Sequence, residues 1–189
     1  MSRKKTLLAI SSPSGGGKST VARYLLNKYD NLKFSVSATT RKPRANEIDG
    51  KDYFFLSKEE FLRKISEGDL IEYEEIFGNY YGTLKSEVEK AKSSNHCLLF
   101  DIDVKGALSI KRIYPEDSLL IFISPPNLDI LKERLIKRGS ETEEQLNIRL
   151  ARAKMEMGLR EQFDFDLMND DLNNTLKQAD KIVTKYMRV

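Results

Sequence analysis

Apolar residues fall along this chain in two alternating rhythms. "TLLAIS" (6–11), "HCLLFDID" (96–103) and "SLLIFIS" (118–124) carry nearly unbroken apolar runs, and the shorter "FDLM" (165–168) follows. Runs of that length between polar residues predict strands buried on both faces. The intervening segments have helical spacing. "STVARYLLNKY" sets Val21, Leu25 and Leu26 on one side, and "VKGALSIKRI" links the second strand to the third. "NLDILKERLIKRG" starts on a capping Asn127 and stops at Gly139. "SETEEQLNIRLARAKMEMGLREQF" predicts a longer helix with Leu146, Leu150, Ala153 and Met157 on one face, and "DLNNTLKQADKIVTKYM" a closing one. Buried strands alternating with helices predict an α/β fold, a parallel sheet flanked by helices.

The rhythm breaks between about 37 and 94. "KFSVSA" (33–38) and "LIEYEEIF" (70–77) alternate apolar and polar positions, "DYFFL" is strand-like, and "GNYYGT" reads as a turn into a short strand. "SKEEFLRKISEGD" has the Ser57 and Glu60 spacing of a capping box and a stop at Gly68, and "KSEVEKAKSSN" predicts a polar helix. This segment is expected to be a small mixed α/β subdomain with short antiparallel strands, inserted into the α/β core.

Composition narrows the class. With 189 residues, 40% hydrophobic and 32% charged, the chain suits one soluble domain. No apolar run approaches the roughly 20 residues that span a bilayer, and "LLAI" near the start is too short for a signal-peptide core. Net charge is only +3, with lysines and arginines spread among acids. That excludes a concentrated stripe for a duplex and suits small phosphorylated ligands. The single cysteine, Cys97, cannot form an internal disulfide, so a cytoplasmic location is expected.

Chemistry concentrates first in "SSPSGGGKST" (11–20). A phosphate loop turns backbone N–H groups inward at a helix N-terminus, and Gly15, Gly16 and Gly17 reach the necessary dihedrals cheaply. Ser12, Pro13, Ser14 and Thr20 complete the loop. Lys18 can reach β- and γ-phosphates and the Ser19 hydroxyl can ligate Mg²⁺. Ser12 stands where the usual pattern has its first glycine, upstream of the amides that cradle the anion. A second loop, "TTRKPRANEIDGKDYFFL" (39–56), sets Arg41 and Arg44 near Tyr53, groups suited to a second phosphate. Arg134 and Arg138 share one helical face, and Arg149 and Arg152 follow on the next helix. Arg152 reads as a surface residue. His96 reads as structural, and Asp103 reads equally as a helix N-cap or a site acid.

The stretch from Thr39 to Leu56, with Arg41, Arg44, Glu47, Gly50, Tyr53 and Phe55, resembles the signature of the guanylate kinase family. "IEY", "GNYYGT", "LLFDID" and "NDD" (169–171) resemble its later motifs in order. The resemblance implies ATP + GMP ⇌ ADP + GDP with Mg²⁺, ATP and GMP (with dGMP open) as small-molecule partners, and no nucleic acid or membrane. It implies a core of about 1–36, 95–126 and 162–189, a GMP-binding insert of about 37–94 and a helical lid of about 127–161. Ser37, Glu72, Thr83 and Asp101 would then surround the guanine nucleotide, and Arg41, Arg44, Tyr53 and Tyr81 would hold its phosphate. Lys18, Arg41, Arg138 and Arg149 would serve catalysis, with Arg134 and Arg138 on ATP. Two rivals remain at this point. A kinase-like binding module would carry a degraded phosphate loop, and a kinase for another acceptor would lack Glu72.

Overall fold

The computed structural model describes residues 4–76, 78–137 and 143–189. Five strands form the main sheet: β1 (Leu7–Ser11), β2 (Leu32–Phe34), β7 (Cys97–Asp101), β8 (Ser118–Ser124) and β9 (Phe165–Met168). Their order is β2-β7-β1-β8-β9 and every pairing is parallel. Alternate residues of these apolar strands serve opposite faces. Leu8, Ile10, Leu99, Ile121 and Ile123 pack on one side with Val21 and Leu25 of α1 (Lys18–Lys28) and Ala179 and Val183 of α7 (Leu172–Tyr186). Leu7, Ala9, Leu98, Phe100, Leu120 and Phe122 pack on the other, against α3 (Lys85–Ser93) and α4 (Val104–Ile113). Burying each large side chain contributes ~1.5–3 kcal/mol, so the two faces together anchor the molecule.

The second sheet has the order β4-β3-β6-β5, built from β3 (Ala38–Thr39), β4 (Phe54–Phe55), β5 (Leu70–Ile76) and β6 (Asn79–Leu84). It is mixed. β3 runs parallel to β4 and antiparallel to β6, so the expectation of antiparallel strands holds only in part. Its own small core is Ala38, Phe61 and Leu84, closed by α2 (Lys58–Ser66). The α2 capping box is present: Ser57 Oγ accepts from Glu60 N at 3.1 Å, and Glu60 Oε2 accepts from Ser57 N at 2.9 Å. "KFSVSA" is not one strand. Lys33 and Phe34 join the main sheet through β2, whereas Ala38 begins β3 in the second.

Helix α5 (Leu128–Lys137) is capped by Asn127, whose Oδ1 accepts from Ile130 N at 2.8 Å. Its expected stop, Gly139, lies outside the described residues, as does Arg138. Helix α6 (Glu143–Met157) packs Leu146, Leu150 and Ala153 on Leu131 and Leu135 of α5. Met157 leaves that face and packs instead against the α4 side of the main core. A 3₁₀ turn at Arg160–Gln162 ends the segment read as one long helix.

Candidate active site

Central strand β1 delivers the chain to the carboxyl edge of the parallel sheet, where ligands gather in open α/β folds. Between Ser11 and Lys18 the backbone turns through Gly15 (φ 92°) and Gly17 (φ 105°), a region that side chains rarely adopt. Space is as demanding as dihedral: a Cβ on Gly17 would stand 2.2 Å from Asn169 Nδ2. Gly16 N donates to Pro13 O at 2.9 Å, and Asn169 Nδ2 donates to Gly16 O at 2.8 Å. The Asn169 side chain therefore clamps the loop from the end of β9. Arg134 holds the same residue by its carbonyl, Nη2 to O at 2.9 Å.

Ser12 needs no glycine conformation. Among the described non-glycine residues, Asn95 is the one with positive φ. Ser12 is buried, and a Cβ built on Gly16 would meet Ser12 Cβ at 3.0 Å. The serine side chain thus fills space that Gly16 leaves open.

Lys18 and Ser19 begin α1 under the loop and converge on β7. Lys18 Nζ lies 2.6 Å from Asp101 Oδ1 and 3.0 Å from Ile102 O, and Ser19 Oγ donates to Asp101 Oδ2 at 2.9 Å. Above them opens a cleft of about 510 Å³, lined by Ser12 to Gly15, Gly17 to Thr20, Arg149, Arg152 and Glu156, among others. From α6, Arg149 Nη1 donates to Ser14 Oγ at 2.9 Å. A helix of the expected lid therefore touches the glycine loop directly.

The second sheet builds another polar cluster. Arg41 makes a two-pronged pair with Glu47, both N–O distances 2.8 Å, and lies over the rings of Tyr53 and Phe55 at 5.4 and 5.7 Å. Glu47 also accepts from Arg44 N at 2.7 Å. The Arg41 hydrogen bonds, then that backbone donor, hold the Glu47 carboxyl down to about 2. Tyr53 stands edge-on to Tyr81 with centroids 6.2 Å apart. Ser37, immediately before β3, contributes its carbonyl to Phe54 N at 2.9 Å. Glu72 of β5 accepts from Thr83 Oγ1 of β6 at 2.7 Å. Burial raises the Glu72 pKa above the ordinary carboxylate value; the Thr83 hydroxyl opposes that, while Asp103 and Glu74 add to it. A carboxylate kept at that cost is suited to meet donors from a ligand.

Three side chains carry more than their sequence signal suggested. Asp103 caps α4, with Oδ1 accepting from Gly106 N at 2.8 Å, so its N-cap reading holds, and it also lines the cleft. Asn169 stood in the "NDD" motif, but only the fold reveals its grip on Gly16. Arg152, read as a surface residue, is tied by Nη2 to Asp103 at 3.1 Å and Glu74 at 3.3 Å, and by Nε to Glu156 at 2.9 Å. His96 is structural, with Nδ1 2.9 Å from Asn31 Oδ1.

Residues 4–186 match the sequence family described as guanylate kinase. This chain belongs to the guanylate kinase family. Guanylate kinase of Chlorobaculum tepidum is 50% identical over 181 residues, spanning 96% of this chain and 93% of that protein. Guanylate kinase of Bacteroides fragilis is 43% identical over 184 residues, spanning 97% and 90%. The crystal structure of guanylate kinase from Anaplasma phagocytophilum matches with a TM-score of 0.75 at 34% identity, covering 98% of this chain and 88% of that one. The family's parallel α/β core is therefore the fold of this chain.

Proposed function

We propose that the chain transfers the γ-phosphoryl group of ATP to GMP, giving ADP and GDP. The observation that carries this reading is the buried Glu72–Thr83 pair on the second sheet. Guanine presents N1–H and N2–H₂ side by side, two donors for one carboxylate, where adenine offers a bare acceptor. A buried site that pairs such an edge rejects the wrong base by ~10⁴ or more. Ser37 and Asp101 surround the rest of the guanine nucleotide, while Arg41, Arg44, Tyr53 and Tyr81 take the acceptor phosphate. Glu47 aims Arg41 by occupying both of its terminal nitrogens.

On the donor side, the amides from Gly15 to Ser19 cradle the ATP phosphates, with Ser12, Pro13, Ser14 and Thr20 shaping the loop. Lys18, Arg134, Arg138 and Arg149 neutralise charge at the transferring group. The acceptor oxygen attacks phosphorus in line, so the protein's work is positioning and charge stabilisation, without a covalent intermediate.

Mg²⁺ would be held by the Ser19 hydroxyl with Asp101 beside it. These are hard oxygen donors and only two, which suits an ion that keeps waters and shares substrate phosphates. The ion would supply neutralisation of the negative charge on the transferred phosphates. We assign the core to about 1–36, 95–126 and 162–189, the acceptor insert to 37–94 and the lid to 127–161, working in the cytoplasm. Among the described residues no helix is long and apolar enough to cross a membrane.

The test is ADP release with saturating Mg-ATP across GMP, AMP, CMP and UMP. GMP should be preferred by several orders of magnitude. Equal turnover of AMP and GMP would overturn the assignment.

A further inference from the structure

Resting on the reading above, the geometry points to Arg152 as the positioning residue that couples acceptor binding to seating of the lid. Its guanidinium is shared by three separate parts of the molecule. Nε holds Glu156 on α6 itself, while Nη2 reaches Asp103 at the end of β7 in the core and Glu74 on β5 in the second sheet.

The route to the acceptor site is short. Glu72 and Glu74 are two apart on β5, so they face the same side of that strand. Glu72 points to the proposed guanine pocket and Glu74 to Arg152. A second link runs through Asp103. One of its oxygens caps Gly106 and the other meets Arg152. Gly106 in turn backs onto Glu72: a Cβ there would lie 3.3 Å from the Glu72 carboxyl carbon. On the donor side, Arg149 stands one turn before Arg152 on α6 and contacts Ser14 of the glycine loop. One turn of one helix thus presents one arginine to the ATP loop and the other to the strand that reads the acceptor.

Charge explains why an arginine is needed at that point. Glu74, Asp103 and Glu156 converge within contact distance of one side chain, with Glu72 close behind. Without a cation between them they repel, and the helix, core and insert drift apart. Arginine's planar fork serves several carboxylates at once, which a lysine ammonium does less well. Burial acts against the Glu156 charge, and Arg152 is the partner that offsets it.

Two bound sites joined this way must help each other reciprocally. The experiment measures the affinity of a non-hydrolysable ATP analogue with and without saturating GMP, in the unmutated protein, Arg152→Met, Glu74→Gln and the double variant. GMP should tighten the analogue in the unmutated protein by about 5- to 150-fold, the usual span of such couplings. The ratio should fall in both single variants, furthest in Arg152→Met, and in Glu74→Gln, whose side chain lies outside the lining of the glycine-loop cleft, affinity for the analogue alone should change little. The double variant should lose no more than Arg152→Met alone, because that change already removes both the Glu74 and the Asp103 link. Glu74→Gln alters a partly exposed side chain, so it remains informative if Arg152→Met fails to fold. An intact ratio in Glu74→Gln, no synergy in the unmutated protein, or equal losses with and without GMP would overturn the proposal. Failure of the unmutated protein to bind or phosphorylate GMP would instead overturn the underlying reading.

Discussion

At Ser12 the chain departs from the usual phosphate-loop pattern without departing from its physics. The loop's left-handed turns fall at Gly15 and Gly17, so a glycine at position 12 would only empty a space beside Gly16. Ser12→Gly should therefore keep at least half of wild-type turnover, whereas Ser12→Leu should lose most ATP affinity by crowding Gly16. Steady-state kinetics on the two variants checks this, and loss of transfer in a folded Ser12→Gly would implicate the hydroxyl itself. Glu72 makes a different trade. Its raised pKa means the folded chain holds that proton more tightly than the unfolded chain, whose value is near 4.5. This contribution to stability is complete below 4.5 and is lost as pH rises through the folded value. Glu72→Gln should accordingly melt higher than the parent at pH 8, with the gap closing toward pH 4.5. The same variant should lose at least ~10²-fold in kcat/KM for GMP. Melting curves across pH, with no gap at pH 8, would show that the ionised carboxylate is not a burden.

Among elements, the join between the glycine loop and β9 decides how firmly ATP is held. Asn169 sits at the end of β9, its side chain on Gly16 and its carbonyl on Arg134 of α5. Asn169→Ala would strand the Gly16 carbonyl, at ~1–3 kcal/mol. ATP-analogue affinity should fall about tenfold with GMP affinity unchanged, by calorimetric titration of each ligand alone. A normal ATP affinity would show that the loop keeps its shape unaided. The sequence reading fared unevenly at this scale for physical reasons. Strand β8 and helix α4 were legible to the residue, because an unbroken apolar run and a capped periodic segment carry their own boundaries. "KFSVSA" was not, since alternation shows that a strand is half-buried but not which sheet it joins. Arg152 is exposed, as its spacing suggested, but its ion pairs were not legible, because helical spacing gives a face and says nothing of what other elements bring to it. The closeness of Arg41 to Tyr53 was legible as a local motif, but the pairing of Glu72 with Thr83 needed the β5–β6 hairpin to close.

For the whole molecule, stability is unevenly shared. The three inner strands β1, β7 and β8 of the main sheet are buried on both faces, whereas α6 rests on a small cluster and leaves Ile148 and Met155 more than half exposed. Elements with few buried contacts open most readily. Amide exchange in the free protein should thus be faster across Glu143–Met157 than across β1 and β8. It should slow when GMP and an ATP analogue are both present. Equal protection of α6 and β8 without ligand would count against a separately moving lid. The clamp by Asn169 also has a consequence in time. The glycine loop is made early in synthesis, but its clamp comes about 150 residues later, a delay of roughly 8–30 s at the usual pace of translation. Until β9 has paired with β8, a ribosome-bound chain holds the loop without its Asn169 clamp. Nucleotide therefore binds at full strength only when the molecule is nearly finished, and ATP favours completed chains over partial ones.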